Sequence, residues 1–280
     1  MERMLSTHVM CNHRLTTAWL NRVESAGIAA VEFFCARQHF DYTNKSQIAE
    51  LGHFFRDSQL KLHSLHSPMF TDEIWGRSGP QTHIKITERN KATRLQWVGE
   101  VKRALEVAET IPFRYLIQHL GVSGEEFSEY AVEAAFSALE ELALFARQRG
   151  VEILLENIPN ELSTAERLEY FNAVTHLKLN YVFDTGHAHI GAGIAGEFAI
   201  MAKRIRSLHV HDNNGKADEH LLPMSEGGSI DWGATMDLLR SHPGQYPLLL
   251  ELRDDPALNY GLDHVARAFD QLEALEPTNA

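Results

Sequence analysis

Eight short runs rich in apolar and β-forming residues recur along the chain, at 5–10, 28–35, 60–66, 113–120, 151–156, 179–184, 205–211 and 248–252. A segment with helical spacing follows each of them, at 16–26, 47–57, 89–110, 125–149, 165–174, 197–203, 234–240 and 262–275. In the 125–149 segment Phe127, Tyr130, Ala131, Ala134, Ala138, Leu142 and Phe145 recur at three- and four-residue steps, and Gly150 ends it. A doubly wound open sheet shows the same alternation. Eight strands within 280 residues favour a (β/α)8 barrel, the TIM barrel of the α/β class. No Pro/Gly/Ser-rich linker breaks the chain, so 1–275 reads as a single domain and 276–280 as a frayed tail. One connection is long: residues 67–88, with Asp72, Trp75, Arg77, Gly79, Pro80 and His83, read as a lid or binding loop.

Composition removes several classes of function. With 26 Lys+Arg against 38 Asp+Glu the net charge is −12, which argues against a general nucleic-acid coat. No apolar run approaches the roughly 18 residues of a membrane span, and no apolar secretion segment follows Met1-Glu2-Arg3-Met4, so a cytoplasmic protein is expected. Cys11 and Cys35 are too few for a disulfide framework and wrongly spaced for a zinc knuckle, so they read as ordinary thiols. Gly191-Ala-Gly-Ile-Ala-Gly196 matches a dinucleotide-binding pattern, but no strand leads directly into it, and it reads as a loop before the sixth helix.

The 16 histidines are the outlying number, and eight of them sit in or just after strand-like runs: His63, His66, His119, His187, His189, His209, His211 and His220. In a barrel of this kind, polar groups at the C-terminal strand ends face the mouth where ligands bind. Six consecutive strands end on such groups: His66, His119, Glu156, Asp184, His209 with His211, and Glu251. Two carboxylates about 5 Å apart repel by roughly 3 kcal/mol at an effective dielectric of about 20. Glu156, Asp184 and Glu251 therefore need protons or a cation between them. With His209 as a nitrogen ligand, the set is hard and oxygen-rich, suited to Mn²⁺, Mg²⁺ or Co²⁺ more than to a structural zinc.

Other residues are less constrained. His187 follows Asp184 by three positions and could hold a metal or a substrate oxygen, and Asp218 with His220 forms an Asp-x-His pair able to chelate one ion. His66 and His119 point into the mouth. Strand alternation places His63 on the face opposite His66, as a structural residue, and puts His211 on the face of His209, so spacing leaves open which of the two ligates. His189, Glu32 and Arg253 read at most as residues that support the ligands from behind. His8 reads as a satisfied core histidine, Trp97 as helix core, and Trp75 as a ring able to close over a ligand.

The order His66-Ser-Pro, His119-Leu-Gly, Glu156-Asn, Asp184-Thr-Gly-His187, His209-Val-His-Asp212, Asp218-Glu-His220 and Glu251 resembles the xylose-isomerase-like TIM-barrel superfamily along essentially the whole chain. That superfamily includes sugar and sugar-phosphate isomerases and epimerases and the endonuclease IV-type apurinic-site nucleases (AP endonuclease family 2). The resemblance implies metal ligation by Glu156, Asp184, His209 and Glu251, with Mn, Co, Mg or Zn as the ion. It also implies a sugar or sugar phosphate held through two vicinal oxygens, and proton exchange by Glu156 and Glu251 through an enediolate. His66, His119, His187 and Arg253 would bind substrate.

The nuclease branch is the alternative. Its trinuclear zinc site would use His66, His119, His187, Asp218 and His220 as additional ligands, and a non-catalytic metal- or sugar-binding relative is a third reading. Against the nuclease stand Ile158-Pro-Asn after Glu156-Asn157, Gly186 where those enzymes carry cysteine, and Asp212-Asn-Asn-Gly after the seventh strand. The segment Pro223-Met-Ser-Glu-Gly-Gly departs from the tighter Gly-Glu-Gly of both branches. The mouth loops supply only Arg37, Arg77, Lys85, Lys216 and Arg253 for phosphate contacts, so nucleic acid is not the expected partner.

Overall fold

The computed structural model describes residues 1–241, 246–258 and 260–276. Of the expected tail 276–280, residues 277–280 lie outside the described residues. Eight parallel strands form one sheet: β1 (Arg3–Ser6), β2 (Ala30–Phe34), β3 (Lys61–His66), β4 (Tyr115–His119), β5 (Glu152–Glu156), β6 (Asn180–Asp184), β7 (Ile205–His209) and β8 (Leu248–Leu250). Each strand pairs with its sequence neighbour, and β1 also pairs with β8. Between β7 and β8, Val210 N donates to Leu249 O at 2.8 Å and Glu251 N to Val210 O at 3.1 Å, which closes the barrel. The chain is a (β/α)8 TIM barrel.

The helices that surround it among the described residues are α1 (Thr17–Ser25), α2 (Lys45–Asp57), α3 (Lys91–Glu106), α4 (Glu129–Arg147), α5 (Ala165–Val174), α6 (Thr185–Ile190), α7 (Ile194–Met201), α8 (Trp232–Ser241) and α9 (Leu262–Ala274). Several begin on a side-chain cap. Asn44, Asn90, Ser128 and Thr164 each accept from a backbone N–H of the first turn. The glycine-rich 191–196 segment lies between α6 and α7, where Gly193 takes φ +101° and the buried Glu197 carboxylate turns back to accept from Ala192 N at 3.0 Å. No described helix is long and apolar enough to cross a membrane.

Within the barrel, Tyr115, Ile117, Leu154 and Val182 form one buried layer and Met4, Ala30 and Leu249 another. Alternation carries this inward face up to the mouth, so Leu154 is followed by Glu156 and Val182 by Asp184. Two irregularities alter the expected pattern. The first strand stops at Ser6, four residues short of the expected end, because a 3-10 turn at Thr7–Met10 begins there. His8 therefore sits on a turn at the mouth and not within a strand. Where β2 meets β3, the register shifts at Val31/Glu32 and leaves an extra residue on β3. His63 consequently turns into the barrel, its ring 5.2 Å from that of Tyr115 and its Nε2 3.3 Å from Ser207 Oγ. The expectation that it faces away from His66 is corrected by that bulge.

Candidate metal centre

Glu156, Asp184 and His209 are the last residues of β5, β6 and β7, and Glu251 follows β8 directly. All four are at most 2% exposed. They converge on one atom: His209 Nδ1 lies 3.0 Å from Glu156 Oε1, 3.1 Å from Glu251 Oε2 and 3.9 Å from Asp184 Oδ2. Ring orientation is set from behind, where the fully buried Glu32 of β2 lies 3.1 Å from His209 Nε2 and accepts from Ser64 Oγ at 2.7 Å. Glu32 thus fixes which imidazole nitrogen meets the three carboxylates, a recurrent arrangement behind metal-ligating histidines.

Two further groups flank this one. His119 Nε2 lies 3.0 Å and His66 Nε2 3.7 Å from Glu156 Oε2, so Glu156 belongs to both groups. On the other side, His187, His211, Asp218 and His220 meet: Asp218 Oδ2 is 3.3 Å from both His187 Nε2 and His220 Nε2. His211 Nε2 lies 3.0 Å from Asp184 Oδ1, and its ring stacks on His220 at 3.9 Å. In each group the candidate ligand atoms lie within 4.8 Å of one another. His209 and His211, which spacing could not separate, therefore sit in different groups. His220 adopts φ +49°, a left-handed conformation that costs a residue other than glycine about 1–3 kcal/mol.

The donor chemistry fits divalent cations. Among the described residues, Glu32, Glu156, Asp184, Asp218 and Glu251 form ion pairs with imidazoles only, and no Lys or Arg side chain neutralises them. Asp218 Oδ1 is buried, with His220 Nε2 at 3.2 Å and His211 Nε2 at 3.9 Å. Burial alone would depress the basicity of His209, yet the carboxylates of Glu251, Glu32 and Glu156 hold it well above its usual value. Burial would likewise protonate Glu156, yet His209 and His119 hold its carboxyl well below the usual range. The centre demands positive charge.

The loop carrying Asp218 and His220 is anchored by Asp212, which is 1% exposed. Its carboxylate accepts from Asn213 N at 2.8 Å, Ser229 N at 3.0 Å, Ile230 N at 3.1 Å, Met224 N at 3.3 Å and Trp232 Nε1 at 2.6 Å. Asn in its place keeps one acceptor oxygen and turns an NH₂ toward these donors. Asp212→Asn should destabilise the fold by about 3 kcal/mol, since hydrogen bonds to charged groups are worth more than neutral ones. Denaturant unfolding reads this, and an effect below about 1 kcal/mol would show that the donors have other partners.

Above the carboxylates lies a cavity of about 290 Å³. Arg253, exposed at its rim, donates to the Asp218 backbone carbonyl, while Phe34, Met69 and Trp75 form an apolar wall. His8, expected to be a satisfied core residue, is part of this wall. Its ring stacks 4.5 Å from Phe34 and meets His220 edge-on at 5.1 Å, its Nδ1 has no hydrogen-bond partner, and burial pushes its pKa down to about 3. The signal for His8 was its position near a strand end, obscured by placing that end at residue 10.

A family model described as a xylose isomerase-like TIM barrel matches residues 20–276. An uncharacterized protein of Methanocaldococcus jannaschii, MJ1311, is 31% identical over 154 residues, covering 51% of this chain and 52% of that protein. The chain thus spans about half the length of that relative. Among solved structures, a D-tagatose 3-epimerase-like protein superposes with a TM-score of 0.76 at 23% identity, covering 98% of both chains. IOLI protein with a bound zinc atom superposes with a TM-score of 0.76 at 17% identity, covering 98% of this chain and 96% of that one. At these identities the likenesses show the fold.

Proposed function

Because the chain belongs to the xylose isomerase-like TIM barrel family, we propose that it is a divalent-metal-dependent isomerase or epimerase of a sugar or sugar phosphate. The observation that carries this reading is the meeting of Glu156, Asp184 and Glu251 on His209 Nδ1. A cation held by these four residues supplies Lewis acidity toward two neighbouring substrate oxygens. Glu156 and Glu251 approach His209 Nδ1 from β5 and from beyond β8, and the neighbouring imidazoles hold both carboxyls well below their usual range, so both are ionised. One carboxylate would take the proton from the carbon beside the substrate carbonyl and return it to the adjoining carbon for isomerisation; for epimerisation the other would first take up a proton from solvent and deliver it to the opposite face. His66, His119 and His187 bind substrate hydroxyl groups, and Arg253 at the rim suits a phosphate. The wall of Phe34 and Trp75 limits water at the reacting carbon. The D-tagatose 3-epimerase-like neighbour agrees with this chemistry in its name.

With Mn²⁺ present and a panel of ketoses in D₂O, the protein should exchange one carbon-bound hydrogen for deuterium, read by mass spectrometry. No incorporation into any ketose or ketose phosphate would remove the reading. A second reading rests on a different observation, the three neighbouring ligand groups, two of which share Glu156. They suit the trinuclear zinc centre of an apurinic-site phosphodiesterase, which would hold three zinc ions and nick DNA at abasic sites. The net charge of −12 weighs against a DNA substrate.

A further inference from the structure

Beside the carboxylate-lined cavity lies a second one of about 230 Å³, and the two share a wall formed by His66, Met69, Trp75 and His119. It opens between the segment after β3 and the loop after β4. That segment is folded back on itself: Thr71 N donates to Thr82 O at 3.0 Å and Ile84 N to Met69 O at 2.9 Å, with Phe70 opposite His83. The pairing builds a row of rings. Phe70 lies 4.3 Å from His83 and 5.5 Å from Trp75, and Trp75 lies 5.4 Å from Phe34 in the first cavity. Trp75 therefore lines both compartments.

The second compartment is not purely apolar. Ser67 Oγ and Gln118 Oε1, on side chains buried to 4% exposure, have no hydrogen-bond partner among the described residues, and neither does Trp75 Nε1. Buried polar atoms in native structures pair with protein, water or ligand, so three that line one cavity without a protein partner are placed to bond to its occupant. Aromatic walls with a few polar atoms suit a ring with an apolar face and a polar edge. Together the two compartments offer about twice the space of either alone, within the roughly 300–1,000 Å³ range of small-molecule sites.

We propose that this second compartment binds a ring joined to the reacting sugar, so that the substrate is a two-ring sugar conjugate whose distal ring lies against Trp75 and Phe70. The inference rests on the sugar-isomerase reading of the first cavity. A second sugar ring and an aromatic substituent share the recognised chemistry, and the test separates them. Calorimetric titration of the metal-loaded protein would compare fructose with three glucosyl-fructoses linked through O3, O5 or O6, and with 6-O-benzyl-fructose. At least one two-ring ketose should bind at least tenfold more tightly than fructose. A gain with a glucosyl form identifies a sugar partner, and a gain with the benzyl form alone an aromatic one.

Val122→Trp and Ser123→Trp, each filling the second compartment from the loop after β4, should abolish that gain while the bound metal content stays unchanged. Equal affinities across the panel, binding by no member, or a gain that survives both fillings overturns the proposal. Deuterium uptake into fructose combined with equal affinities would overturn it and leave the isomerase reading in place. Selective two-ring binding without deuterium uptake would support the compartment and count against that reading.

Discussion

Glu156→Gln should lower solvent deuterium exchange by at least about a thousandfold, within the range that positioned acid–base groups contribute, and should strip the protein of its tightly held divalent ion. The reason is the number of partners that depend on one side chain. Glu156 is fully buried, its Oε1 lies 3.0 Å from His209 Nδ1 and 3.4 Å from His187 Nδ1, and its Oε2 lies 3.0 Å from His119 Nε2. Gln preserves the shape but removes the charge and turns an NH₂ group toward nitrogens that need an acceptor or a shared cation. His119→Asn is the informative comparison, because it removes one neighbour of Glu156 and none of the atoms around His209 Nδ1. Its loss should be about ten- to a hundredfold, the usual cost of disturbing a ligand's supporting contacts. Metal content and exchange rate measured on both variants check this. Retention of full exchange by Glu156→Gln would dismiss Glu156 from the chemistry.

Gly186→Ala should be the most damaging small substitution at the mouth. An added Cβ would stand 2.0 Å from His211 Cε1, 2.4 Å from Nδ1 and 2.7 Å from Nε2. The ring cannot yield easily, since it stacks on His220 at 3.9 Å and its Nε2 meets Asp184 Oδ1 at 3.0 Å. Forcing it aside should destabilise the fold by about 3 kcal/mol, the scale of overpacking in a filled interior, and should disperse the group formed by His187, His211, Asp218 and His220. Gly196→Ala in α7 is the counterpart: nothing lies within 4 Å of its Cβ, and the change should stabilise by about 0.5–1 kcal/mol through helix propensity. Thermal unfolding of the two variants should therefore shift in opposite directions. The same clearance gives a physical reason for glycine at 186, where the nuclease pattern has a larger residue: His211 fills the space.

The alternation of strands and helices, and the polar residue closing each strand, carried most of the architecture, because a two-residue period dictates which side chains share a face. Glu156 follows Leu154 and Asp184 follows Val182 on the inward face, so the sequence alone implies their convergence. What alternation cannot express are the places where the backbone departs from it. The bulge at Val31/Glu32 turns His63 inward, and the 3-10 turn after Ser6 brings His8 to the mouth. Glu32 reads from the sequence as at most a supporting residue, and its place behind His209 depends on a contact between β2 and β7 across the barrel, which no local pattern encodes. The length of segment 67–88 reads as a lid or binding loop, while its pairing of Phe70 with His83 and the compartment it encloses come from tertiary structure alone.

Elemental analysis of the purified protein, after incubation with Mn²⁺, Co²⁺ or Zn²⁺ and removal of free ion, bears most directly on all of this. The account expects at least one tightly retained divalent ion per chain, released by chelators and absent from Glu156→Gln. A protein that retains no ion under any of these conditions, with Glu156, Asp184, His209 and Glu251 intact, would contradict it.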